Sequence, residues 1–216
     1  MRSMQLMLRS ALMGLRERKK EQTRRAIEDA AFRLFAERGF QATTVADIAD
    51  AADVAPRTFF AYFPSKEDVL FADFDETSEA LAERLRGRSP GESTFDALRA
   101  WITGLLPDLE ADETREALRH RLCSEYESIA AHERHLMARF EAIIAESVAV
   151  DLGDEPTDLR PRMIAAAAIA ALLAMRPDDP GAEELPAGEK LQRLDEALEF
   201  LRGGVAVLQR GPVPQR

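Results

Sequence analysis

The chain has 216 residues, 46% apolar and 31% charged, with a formal net charge of -10. That composition is ordinary for a folded soluble protein and excludes a chain disordered throughout. The single cysteine, Cys123, excludes an intrachain disulfide and a cysteine-rich zinc site. The most apolar run, Met163 to Met175, has thirteen residues, whereas a bilayer span needs about 20, so no membrane partner is expected.

The first thirteen residues, MRSMQLMLRSALM, contain four methionines and an interrupting Arg9. Without a small-residue cleavage site they do not read as a signal peptide, and the start of the protein is expected at Met4, Met7 or Met13. The charge is split along the chain. Residues 1–66 hold 12 Lys/Arg and 8 Asp/Glu, a net of +4, and the remainder carries a net of -14. Such asymmetry is the form expected when one domain meets phosphate and the other does not.

No stretch alternates with a two-residue period, so no strand is predicted and the fold class is all-α. A first helix runs from Gly14 or Leu15 to Arg38 and stops at Gly39. Its buried stripe is Ile27, Ala30, Ala31, Leu34 and Phe35, and its start is basic, from Arg16 to Arg25. Thr43 or Thr44 caps a second helix to about Ala51, with Val45, Ile48, Ala49 and Ala52 inward. After a turn at Ala52, Asp53 and Val54, a third helix begins near Pro56 and ends before Pro64, with Phe59 and Phe63 inward. Ser65 starts a fourth, with Asp68 as capping partner, which runs on to Gly87 through Leu70, Phe74, Leu81 and Leu85.

A fifth helix covers Ser93 to Leu106 and is stopped by Pro107, and one or two more occupy Asp112 to Val150. An alanine-rich helix follows over Asp158 to Met175, then a loop over Arg176 to Gly188. The last helix, Glu189 to about Gln209, spaces Leu191, Leu194, Leu198, Leu201, Val205 and Leu208 by threes and fours, a coiled-coil-like seam. The tail Gly211 to Arg216 is expected to fray.

Two short helices joined by a turn of about three residues describe a helix-turn-helix, whose second helix can enter the major groove. Val54, Phe59 and Phe63 would lock that helix, leaving Arg57, Thr58, Phe60, Ala61 and Tyr62 outward. An arginine in the first turn can donate two hydrogen bonds to guanine.

The run TTVADIADAADVAPRTFFAYFPSKEDVLF, Thr43 to Phe71, resembles the signature of the TetR family, close to T-x-x-x-I-A-x-x-A-G-V-S-x-x-T-F-Y-x-[HY]-F-x-S-K-E-x-L. The preceding AIEDAAFRLFAERGF, Ala26 to Phe40, resembles the family's first helix. The resemblance implies an N-terminal three-helix helix-turn-helix DNA-binding domain (residues 14–64) and a C-terminal helical-bundle domain for ligand binding and dimerisation (65–210). It implies a homodimer on a double-stranded DNA operator with an inverted repeat, base contacts near Arg57 and Thr58, and phosphate contacts from Thr44, Phe60, Tyr62 and Lys66. The candidate DNA-binding set is completed by Thr43, Pro56 and Ala61. Three positions depart from the pattern: Asp53 stands at the usual glycine, Ala55 at a common capping serine and Phe60 at the usual tyrosine.

The same resemblance implies a small-molecule effector in the second domain, of unknown identity. Phe74, Trp101, Met137 and Phe140 are spaced as core residues that can also line a pocket, and His120, Cys123 and Tyr126 can add polar groups. For the dimer interface the candidates are Met163, Ala167 and Ala171 of the alanine-rich helix with Leu194, Leu198, Leu201 and Val205 of the last. His120 with Cys123 and His132 with His135 have the three-residue spacing of zinc ligand pairs, but the run around them is highly charged and no metal is assigned. No dinucleotide, P-loop, serine-hydrolase or zinc-protease motif is present, so no cofactor and no enzymatic activity are expected. The function read from the chain is a cytoplasmic transcriptional regulator, a repressor released from DNA by its ligand. The readings set against it are a helical adaptor without DNA function and a helical metal-dependent enzyme built on the His/Cys cluster.

Overall fold

A computed structural model describes residues 14–174 and 187–209. The expected starts at Met4, Met7 or Met13, residues 176–186 of the expected loop, and the tail lie outside the described residues. Among the described residues all regular structure is α-helical. The helices are α1 (Leu15–Arg38), α2 (Val45–Ala51), α3 (Pro56–Phe59), α4 (Lys66–Val69), α5 (Phe74–Arg86), α6 (Thr94–Ala111), α7 (Glu113–Glu125), α8 (Glu127–Leu152), α9 (Leu159–Leu173) and α10 (Ala187–Gln209).

The chain forms two compact units. One comprises the residues up to Asp73 together with Ala111–His132, and the other comprises Phe74–Glu110 with the residues from Glu133 onward. By compactness the division therefore falls elsewhere than the expected cut between 64 and 65. Val69, Leu70 and Phe71 are buried in the first unit, and so are Leu122 and Ile129, which come from a segment far along the chain.

In the first unit, α1 buries its 3–4-spaced stripe Ile27, Ala30, Ala31, Leu34 and Phe35. It ends at Gly39, whose φ of 82° only glycine adopts without strain, and whose N–H bonds the Phe35 carbonyl. Thr44 caps α2 by accepting from the Asp47 amide, and the Asp47 carboxylate accepts from the Thr44 amide in return, a reciprocal capping box. The turn into α3 places Asp53 at φ 54°, left-handed geometry that aspartate tolerates better than most residues.

Two expectations need correction here. The third helix is expected to continue until just before Pro64, but α3 is a single α-turn. Beyond it Ala61 and Tyr62 bond three residues back, to Thr58 and Phe59. Pro64 disfavours helical geometry at Phe63, so the segment unwinds before it. The fourth helix was expected to be continuous to Gly87, but α4 stops at Val69 and turn residues 70–73 separate it from α5. Side chains satisfy the carbonyls of that turn: Arg119 donates to Leu70 and Arg24 to Ala72.

In the second unit one apolar core gathers Leu81 and Leu85 of α5, Phe95 and Leu98 of α6, Ile144 and Val148 of α8, Ile164 and Ala168 of α9, and Leu194 and Leu198 of α10. Pro107 does not stop α6, which carries it inside and continues to Ala111. A proline in that position gives up one backbone hydrogen bond and the helix runs on. Arg88, nearly buried, fastens the loop after α5. It donates to the Glu92 and Ser147 carbonyls and to Asp151 at 2.6 Å.

Candidate nucleic-acid interface

Phe59 fixes α3 against the first unit. It is fully buried, with its ring centroid 5.8 Å from Phe63 and 5.5 Å from Phe60. Ala55, before the helix, offers no side-chain cap, and Pro56 at the first helical position supplies the preset φ instead. With Phe59 and Phe63 turned in, Pro56, Arg57, Phe60 and Ala61 are exposed, and Thr58 and Tyr62 half-buried. Phe60 keeps 57% of its surface exposed, a large apolar ring on a polar face. Arg57 has no acid partner among the described residues, so its guanidinium is available to an incoming acceptor.

Thr44 is exposed at the start of α2. Thr43 is not: it is buried, and its hydroxyl donates to the Gly39 carbonyl at 2.8 Å. Its place among the DNA contacts is corrected accordingly, because a hydroxyl already spent inside the fold holds the α1–α2 connection instead. Along α1, Arg16, Arg18, Lys19 and Lys20 are exposed. Arg25 pairs with Glu21 at 2.8 Å. Arg24 faces inward, paired with Glu28 at 3.1 Å and bonded to the Ala72 carbonyl. Burial pushes the Glu28 carboxyl up to about 7, against the pull of Arg24.

Lys66 heads α4, where its Nζ donates to the carbonyls of Phe40 at 2.7 Å and Thr43 at 2.9 Å and stands 4.2 Å over the Phe40 ring. An ammonium has three N–H donors, so at most one is left for a phosphate. Lys66→Met keeps the aliphatic stem and strands two carbonyls. Stability is expected to fall by roughly 1.5–3 kcal/mol, the range for bonds to a charged donor. Urea unfolding followed by circular dichroism checks this, and an unshifted midpoint would show the ties to be idle.

A helix-turn-helix with an exposed, uncommitted arginine in the first turn of its second helix is the geometry of a groove-reading element. The family profile of bacterial regulatory proteins of the tetR family matches residues 27–72, which hold α2, the turn and α3. The profile of the MftR C-terminal domain matches residues 92–206. The chain is 36% identical to the HTH-type transcriptional regulator TcmR of Streptomyces glaucescens over 164 residues, 71% of each chain. The chain belongs to the TetR family.

It is 32% identical over 148 residues, 68% of this chain and 75% of the other, to MftR of Mycobacterium tuberculosis, a protein named as a mycofactocin biosynthesis transcriptional regulator. Among solved structures it is similar to Thermus thermophilus FadR, a TetR family transcriptional repressor solved in complex with lauroyl-CoA. Identity there is 25%, with 89% of this chain and 97% of that one covered and a TM-score of 0.52. TetR proteins are DNA-binding transcriptional regulators, and this chain is one of them.

The residues expected to bind a ligand in this TetR protein are divided between the two units. Phe74, Trp101 and Phe140 meet in the second unit, with ring centroids 5.7 Å and 6.5 Å apart about Phe140, and Met137 packs on the same core. His120, Cys123 and Tyr126 belong to the first unit, where the Tyr126 ring lies 5.5 Å from that of Phe40. The second unit does hold a cleft of about 810 Å3, where Leu85, Phe95, Ile143, Val150 and Val205 alternate with charged groups that include Arg86, Arg88, Glu92, Glu146, Asp151 and Arg202. No sequence signal marked it, because three distant stretches of chain, 82–95, 143–151 and 202–206, make it. Among the described residues no three His, Cys, Asp or Glu side chains converge as a metal ion requires. No described helix is long and apolar enough to cross a membrane.

The expected dimer seam also divides. Leu194, Leu198, Leu201 and Val205 are buried in the core of their own unit, so as interface residues they are corrected. A 3–4-spaced leucine stripe has the same pattern whether it packs within a chain or between chains. The same two helices also carry large apolar side chains that stay exposed. These are Met163 at 60%, Leu159 at 69% and Phe200 at 81% exposure, with Ala167 exposed and Ala171 half-buried.

Proposed function

We propose that this TetR protein is a homodimeric repressor working in the cytoplasm on an inverted-repeat operator and released by a small molecule bound in its C-terminal part. The observation that carries the reading is the outer face of α3, where Arg57 lies uncommitted beside Thr58, Phe60 and Ala61 on a helix locked from behind by Phe59. Arg57 would read a base, Thr58 and Phe60 would flank it, and Thr44, Tyr62 and the exposed cations of α1 would meet phosphates. Leu159, Met163, Ala167 and Phe200 would bury one copy against another, since large apolar side chains left in solvent favour a covered state. The cleft lies in the part of the chain matched by the MftR C-terminal profile, and its size falls within the roughly 300–1,000 Å3 of ligand pockets. FadR, a neighbour in fold, was solved in complex with a small molecule, lauroyl-CoA.

The test begins with an operator recovered by selection from random duplex DNA. Arg57→Ala should then cost about 1–3 kcal/mol at that operator and relax selectivity at one base pair. Fluorescence anisotropy against single-base operator variants reads both effects. Equal affinities of the two proteins for every variant would remove Arg57 from the reading role.

A further inference from the structure

Tyr126 lies sixty-seven residues past the end of α3 in the sequence, yet it belongs to the same compact unit. It is the residue between α7 and α8, with φ -126° and ψ 110°, extended where both neighbours are helical. Its ring lies 5.5 Å from that of Phe40, and Phe40 also meets Phe35 at 5.0 Å. Phe40 therefore touches two aromatic rings and has the Lys66 ammonium over its face. The Phe40 and Thr43 carbonyls are the two that Lys66 binds, and the Thr43 hydroxyl closes onto the Gly39 carbonyl. The connection 39–44 is thus clamped at each end of its short length, and it delivers Thr44 to the head of α2.

The rest of the segment is fastened to the same unit by charge and ring contacts. The Arg115 guanidinium lies 4.9 Å over Phe32 and pairs with Asp29. The His132 ring stacks on Phe71 at 5.2 Å and approaches Asp68 at 3.6 Å. Arg119 bonds the Leu70 carbonyl. These anchors place the residue between α7 and α8 against Phe40 with little freedom to withdraw.

We propose that Tyr126 is a positioning residue for DNA binding: its ring holds Phe40, and through Phe40 the connection that presents Thr44 and α2 to the duplex. The inference rests on the DNA-reading role argued above. Without the ring, the connection samples other conformations and the binding-competent one becomes a fraction of the whole, which weakens apparent affinity by that fraction.

The test compares Tyr126→Ala and Tyr126→Phe with the unaltered full chain on the selected operator, at a temperature well below every melting point. Tyr126→Ala should bind about ten-fold more weakly, with the salt slope unchanged because no phosphate contact is lost. Tyr126→Phe, which keeps the ring, should bind like the parent. Hydrogen exchange at the Thr43 amide, which bonds the Phe40 carbonyl, should quicken in Tyr126→Ala and not in Tyr126→Phe. If Tyr126→Ala does not fold, Tyr126→Leu restores apolar bulk without a flat ring and should show the same weakening. Parental affinity in the folded Ala or Leu variant overturns the proposal. So does a Phe variant as weak as Ala, or a changed salt slope. Failure of the parent itself to bind any selected duplex would instead strike the DNA-binding reading.

Discussion

Phe59→Ala is expected to lower the stability of the first unit by about 3–5 kcal/mol, the range for emptying a buried phenylalanine site. Phe59 is completely enclosed and touches both Phe60 and Phe63. The helix it anchors has only four residues, too few to persist on its own hydrogen bonds. Removing the ring therefore leaves a void and also detaches the outer face that carries Arg57. Domains are stable by only about 5–15 kcal/mol, so a loss of this size brings the unit near its unfolding threshold at room temperature. Phe60→Ala is the control on the neighbouring residue: that ring is more than half exposed, and its loss should move the midpoint far less. Urea titrations of both variants by circular dichroism decide the matter, and equal shifts would contradict the assigned orientation of the two rings.

The second large effect concerns Glu28. Burial raises its carboxyl to about 7 from an ordinary 4.5, and the neighbouring acids Asp73 and Glu21 add to the rise while Arg24 and Arg115 oppose it. The folded state therefore takes up a proton more readily than the unfolded chain. Stability from this group is complete below about pH 4.5 and is lost as pH rises through about 7, to a total of at most about 3 kcal/mol. Glu28→Gln carries no titrating carboxyl but still offers an oxygen to Arg24. The difference in unfolding free energy between variant and parent should therefore grow in favour of the variant from pH 5 to pH 8. Urea unfolding at four pH values across that window measures it, and a difference independent of pH would mean that the Glu28 carboxyl is as well solvated as an ordinary one.

Much of the first unit is legible in the sequence because its signals are local. The α1 stripe, the Gly39 stop, Thr44 before α2 and Ser65 with Asp68 before α4 each lie within a few residues of the feature they control. The interface face of α3 follows from Phe59 and Phe63 being four apart, which sends Arg57 and Phe60 outward. The features that escaped depend on distant partners. Nothing near residue 70 announces a break in the helix, since the groups that satisfy its carbonyls, Arg24 and Arg119, stand 48 and 49 residues away. Lys66 reads as a surface cation until its bonds to Phe40 and Thr43 are seen. The Leu194 to Val205 stripe is periodic in either setting, and only its burial within one chain decides where it packs.

The unit that carries the helix-turn-helix is assembled from two stretches of chain with thirty-seven residues of the other unit, Phe74–Glu110, between them. A fragment ended after residue 64 or 73 would therefore lack the strip that covers Phe32, Phe40 and Phe71, and would show those rings to water. Exchanging reading heads between relatives requires transplanting both stretches at once. During synthesis, at about 5–20 residues per second, the head waits several seconds for residues 111–132 to emerge before it can close.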